Sequence, residues 1–401
     1  MRVVSHKVMV CVKTQFFKFH RSLLLLLGLW PYEQTKLVQL QIILVFSMLI
    51  SCVVYQFMAL VFAEYTSSDF INIFSILLYF IMFVTSYNSF RFNINDIKWL
   101  LDYLQHICNE LKDKDEIAII TKYGKIANYI TALFILFHIF NNTVFLCVVS
   151  LLYHIDTALN ESQLHHIKQS LFPDFFVISH NQVFLLMLYF VGATFIGGIA
   201  LITIMTMLLV YLKYGCGMFR IASYRIEKAM TVNMLKNINF ENKIIIYKKI
   251  IHAVDIHRKA IKFCTHAVTS FQGTLLCLIG ISVICLSVNL YKIAGTKNEN
   301  DIIQYYIHIV LIAGLFVFLF IINYTGQEMI DCNNHVMFTA YNIRWYIAPL
   351  HVQKLILFLL QSGSKVFNPA FGGIFTFSIA FFATLTKASF TYFSVMCSMQ
   401  H

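Results

Sequence analysis

Long apolar runs separated by short polar segments dominate the chain. Runs of spanning length lie near Leu37–Ala63, Phe70–Phe90, Asn128–Leu152, Val183–Leu212, Ala267–Ile293, Ile303–Tyr324 and Ala370–Met399. A helix needs about 20 residues to cross a hydrocarbon core of about 30 Å, and each run is long enough. Inside that core a backbone amide finds no water, so each run must satisfy its own hydrogen bonds as a helix. The pattern predicts an all-α membrane protein: one domain over residues 1–401 with seven transmembrane helices. Between some runs the periodicity persists. Ile221, Ile226, Met230, Met234, Ile238, Ile245, Ile250, Val254 and Ile261 recur, often four apart, among the basic residues of segment 213–266. Trp345, Leu350, Val352, Leu355, Ile356 and Leu359 repeat the pattern within 340–361. Such amphipathic stretches extend the helices below the membrane. Their apolar faces must bury against each other, against lipid or against a partner; the reading adopted is an anchor that meets other subunits.

Charge orients the bundle. With the N-terminus inside, the inner segments 1–36, 91–127, 213–266 and 325–369 hold 26 of the 30 Lys and Arg residues. The positive-inside rule then puts the N-terminus in the cytoplasm and the C-terminus outside. The net charge of +11 follows from this topology and does not point to nucleic acid. The outer loop 153–182 carries a glycosylation acceptor at Asn160, in Asn160-Glu161-Ser162. The basic segment Met1–Lys36 has one short apolar run, Leu23–Trp30, too short for the core of a signal peptide. It is expected at the inner membrane face, with Trp30 among the headgroups.

Composition narrows the function. Hydrophobic residues make up 59% of the chain and charged residues 12%, with a mean hydropathy of +0.72. Soluble domains carry about 25% charged residues, and no long polar block leaves room for one here. The ten cysteines are scattered, with neither a disulfide framework nor a CxxC pair for zinc. Gly215-Cys216-Gly217 runs on to Arg220 where a dinucleotide loop needs glycine, no phosphate-binding loop is present, and the histidines lack HExxH spacing. No enzyme activity and no cofactor are predicted.

Two places remain for chemistry. Lys387 lies roughly 16 Å from the outer end of the last span at 1.5 Å per residue, a costly depth for a cation. A lysine facing a cation path would repel the ions, so Lys387 is expected to turn towards carbonyls, hydroxyls or an aqueous opening. The outer halves of spans two, three, four and six supply Phe74, Leu77, Tyr79, His138, Thr143, Met187, Phe190, Tyr305 and Tyr306. Apolar walls with a few hydroxyls suit a small, uncharged, mostly apolar ligand; ordinary bundle packing is the competing explanation for any one of these residues.

Leu385-Thr386-Lys387-Ala388-Ser389-Phe390-Thr391-Tyr392-Phe393-Ser394-Val395 resembles the closing signature of insect odorant receptors. Tyr341-Asn342-Ile343-Arg344-Trp345-Tyr346 is similar to that family's pattern before its seventh helix. Leu26-Leu27-Gly28-Leu29-Trp30-Pro31 resembles an N-terminal motif of hymenopteran members. Gustatory receptors share Thr391-Tyr392 but carry Gln-Phe where this chain has Ser398 and Met399. The resemblance implies a ligand-gated, non-selective cation channel in the plasma membrane of an olfactory sensory neuron dendrite. It implies a tuning subunit that binds a volatile or apolar odorant and assembles with a shared co-receptor, as a tetramer. It further implies that the last helix lines the pore, with Thr391 in the lining, Val395 at the hydrophobic gate and Ser398 at the mouth. Three other readings compete. A G-protein-coupled seven-span chemoreceptor would reverse the orientation and carry Asp-Arg-Tyr after span three. A transporter would show an internal repeat. A gustatory-receptor-like channel differs at the C-terminus.

Overall fold

The computed structural model describes residues 17–33, 35–62, 67–159, 180–231, 240–295, 302–364 and 376–399. Asn160 lies outside these residues. The described chain is helical: α1 (Lys18–Leu26), α2 (Lys36–Phe62), α3 (Ser67–Phe92), α4 (Ile94–Glu110), α5 (Lys114–Leu159), α6 (His180–Ala229), α7 (Phe240–Gly295), α8 (Ile302–Asn342), a short 3-10 turn (Trp345–Ile347), α9 (Leu350–Ser364) and α10 (Ile379–Ser398). Seven of these, α2, α3, α5, α6, α7, α8 and α10, are long and apolar enough to span a membrane.

Helix α6 is the centre of the bundle. It packs against α3, α5, α7 and α8, and every residue from Thr203 to Phe219 is buried. A helix that is apolar on every side needs neighbours on every side. Met205, Met207, Leu208, Leu209 and Val210 supply that surface, and all five are buried. Helix α7 forms the second hub, meeting α3, α4, α8, α9 and α10. Buried hydrogen bonds tie three of these helices together. Asn289 Nδ2 donates to Ser75 Oγ at 2.9 Å, and His308 Nδ1 lies 2.7 Å from Asn289 Oδ1, joining α3, α7 and α8.

Helices α5 to α8 have 46, 50, 56 and 41 residues. At 1.5 Å per residue each exceeds the membrane's thickness, so the expected extensions are continuous with their spans. Met234 and Ile238 lie outside the described residues, and among those described most of the apolar positions pack locally. Ile221, Ile226, Met230 and Ile250 are buried, as are Val352, Ile356 and Leu359 of α9, whereas Ile245 and Leu350 are exposed. Amphipathic α4 buries Ile97, Leu100, Leu101, Leu104, Ile107 and Cys108. Ion pairs close this layer. Arg225 grips both oxygens of Glu116, at 2.6 and 2.9 Å. Lys213 pairs with Glu328. Lys228 donates to Asp113 at 2.6 Å and holds that carboxyl below its ordinary range.

The motif at Leu26–Pro31 has a local cause. Gly28 adopts φ +72° at the end of α1, a conformation that costs glycine little. Leu29 N–H then reaches Leu24 O at 2.7 Å and Gly28 N–H reaches Leu25 O at 3.1 Å, closing the helix with a Schellman cap. Tyr87 Oη donates to Leu27 O at 3.0 Å, tying the cap to α3. Trp30, expected among the headgroups, is buried in protein instead, beside Tyr32 and under the Arg21 guanidinium.

Candidate functional site

A cavity of about 660 Å³ lies between α3, α5, α6 and α8. Its walls follow helical spacing. Ile76, Tyr79, Phe80 and Phe83 come from α3; Ile130, Leu133, Phe134, Phe137, His138, Asn141, Asn142 and Phe145 come from α5. Phe190, Thr194, Gly198, Leu201 and Met205 of α6 face Tyr306, Ile307, Leu311, Gly314 and Phe318 of α8. Leu133 and Phe137 on one side, and Val317 on the other, line the cavity and are also exposed, so it opens sideways between α5 and α8.

Two glycines shape this space. A Cβ on Gly198 would overlap the His138 ring, so the missing side chain is what lets the imidazole lie against α6. There His138 Nε2 sits 3.0 Å from Phe195 O, and Asn142 Nδ2 sits 3.2 Å from His138 Nδ1. A Cβ on Gly314 would meet nothing within 4 Å, because that face of α8 borders the cavity. Tyr79 Oη donates to Leu311 O at 2.9 Å, and Tyr306 Oη donates to Asn141 Oδ1 at 3.3 Å, bridging α8 to α5.

The last helix is joined to the same α8. Ser378 caps it by accepting from Phe381 N–H at 3.1 Å, while Ser378 N–H donates to Asn323 Oδ1 at 3.3 Å. Gly326 permits the close approach: a Cβ there would lie 2.8 Å from Phe377 O. Against α7, Ser287 Oγ donates to Ser389 O at 3.0 Å. Leu385 and Ser389 are its buried residues, and most of α10 is open on the single chain.

The sequence profile of the 7tm Odorant receptor family matches residues 62–390. The chain belongs to that family. Odorant receptors are receptors rather than enzymes, and this one is a multi-pass membrane protein. The fold is similar to the insect olfactory receptor OR5 from Machilis hrabei in complex with eugenol, with a TM-score of 0.78 and 16% identity over 97% of this chain and 100% of that one. A second structure of that receptor gives a TM-score of 0.69 and 16% identity over 96% and 99% of the two chains. Among curated protein sequences no relative matches.

In this odorant receptor the structure brings Tyr79, His138, Phe190 and Tyr306 together on the cavity. The other five candidates point elsewhere. Phe74 stacks on Phe70, Leu77 and Met187 are buried off the cavity, Tyr305 is exposed, and exposed Thr143 returns its hydroxyl to Ile139 O. Sequence reasoning missed Asn142 and Thr194, polar residues within apolar runs whose type was a usable signal. It also missed Phe134, Leu201, Met205 and Phe318, which nothing in the sequence distinguishes from core.

On α10, Thr391, Val395 and Ser398 are exposed, and the two hydroxyls bond to Lys387 O and Val395 O. At 100° per residue, Lys387, Thr391 and Ser398 fall opposite the buried Leu385–Ser389 stripe. Lys387 is exposed and has no hydrogen-bonded carbonyl or hydroxyl among the described residues.

Proposed function

We propose that this odorant receptor is the tuning subunit of a ligand-gated, non-selective cation channel that works with a shared co-receptor. The observation that carries the reading is the cavity between α3, α5, α6 and α8: apolar walls and a few polar side chains suit a small odorant. That the related receptor was solved with eugenol supports a ligand of this kind. The N-terminus is cytoplasmic, Asn160 is a glycosylation acceptor, and the working location is the dendrite of an olfactory sensory neuron.

The open surface of α10 supports a role at a shared axis, where a ring of small apolar side chains at Val395 stops ions by dewetting. Exposed Phe338, Tyr341, Tyr346 and Phe358, from the inner end of α8 to α9, support a further contact with partner subunits. Odorant binding opens the channel only by favouring the open state over the closed one.

Co-expression with and without a co-receptor, recording current during an odorant panel, tests the reading. Odorant-evoked cation current that requires both chains is the expected result. A response that persists when G-protein signalling is the only route, with no ligand-gated current, would overturn it.

A further inference from the structure

Six polar side chains line the cavity among the described residues: Tyr79, His138, Asn141, Asn142, Thr194 and Tyr306. Nearly all of their hydrogens are already directed at protein acceptors. Tyr79 donates to Leu311 O at 2.9 Å, Thr194 to Val191 O at 2.9 Å, and Tyr306 to Asn141 Oδ1 at 3.3 Å. A carbonyl can only accept, so the proton of His138 lies on Nε2, facing Phe195 O at 3.0 Å. Its Nδ1 then accepts from Asn142 Nδ2 at 3.2 Å, whose other hydrogen goes to His138 O at 2.9 Å. Asn141 gives one amide hydrogen to Phe137 O at 2.8 Å and keeps one, beside Tyr306. Tyr306 and Leu311 are five residues apart on α8, so Tyr79 Oη lies roughly 7 Å further along the helix. There Tyr79 Oη has given its proton to Leu311 O and lies beside the Cys285 thiol, which leaves the hydroxyl oxygen as an acceptor, and among the described lining residues the spare N–H is that of Asn141.

We infer that the cavity selects apolar molecules carrying one hydroxyl, alcohols or phenols, which donate their proton to Tyr79 Oη. The inference rests on the odorant-receptor reading and names the chemical class of its ligand. Its sign is diagnostic. A hydroxyl is harder to dehydrate than an ether oxygen, so a cavity that only offered apolar contact would prefer the ether of equal size. A preference for the alcohol requires an acceptor waiting inside.

Decanol and its isomer methyl nonyl ether are the probes, read first by thermal stabilisation of the purified full chain in lipid nanodiscs and then by current in cells that also express the co-receptor. Wild type is expected to respond to decanol at about tenfold lower concentration, the worth of one such hydrogen bond. Tyr79→Phe should weaken decanol by about that factor and leave the ether within about twofold, while Tyr306→Phe should preserve the preference. Equal or stronger binding of the ether by wild type overturns the inference, as does an equal loss of both probes in Tyr79→Phe, or stabilisation by neither. Selective stabilisation by decanol without any current would leave the donor preference standing and count against the channel reading alone.

Discussion

Single atoms decide how much room the cavity has. At Gly198 the absence of a Cβ is filled by the His138 ring. Gly198→Ala must push the imidazole off Phe195 O, and overpacking of this kind costs about 1–3 kcal/mol. The expected result is a lower melting temperature of the purified receptor together with a weaker odorant response. Gly314 is the opposite case, since a side chain there enters open space. Gly314→Leu should leave the melting temperature nearly unchanged and shift the response towards smaller odorants, read from a series of increasing chain length. Neither glycine announced its role in the sequence: the partners, His138 and an empty volume, lie on or between other helices.

Helix α8 serves two places at once. From Tyr306 to Ile321 it walls the cavity, and at Asn323 and Gly326 it holds the start of α10. Gly326→Val would force Phe377 away and displace the capped end of α10. Altered resting current with odorant binding retained, measured by recording and by thermal stabilisation, is the expected outcome; unchanged current would show that this contact does not position the helix. The apolar runs made the spans legible, because length and hydropathy are properties of one segment. Their continuation beyond the spans was legible from periodicity, since Ile221, Ile226 and Ile250 recur and are buried. The start of α10 was not. Residues 370–375 lie outside the described ones, Thr376–Ser378 are not helical, and the helix is described from Ile379. Apolar content extends through this stretch, and only the Ser378 cap marks the boundary.

Among the described residues, the uncovered surfaces include most of α10 and the aromatic patch containing Phe338 and Phe358, as well as apolar faces of α2 and α5. If the patch meets a partner subunit, Phe358→Glu should reduce co-purification with the co-receptor by severalfold while the melting temperature of the isolated chain stays within the small range usual for surface changes. Loss of stability in the isolated chain would instead mean that the ring packs within its own fold. Which aromatic rings stay exposed was not legible in the sequence, because an exposed phenylalanine reads like a buried one until its neighbours are known.

None of the four prolines, Pro31, Pro173, Pro349 and Pro369, falls within α5 to α8. A rod of 41 residues such as α8 is about 60 Å long and has no proline kink to absorb a bend. A straight rod of this length tilting by about two degrees around its middle would carry each tip about 1 Å in opposite directions. Pushing on the arm that walls the cavity and moving the opposite arm would then be one event.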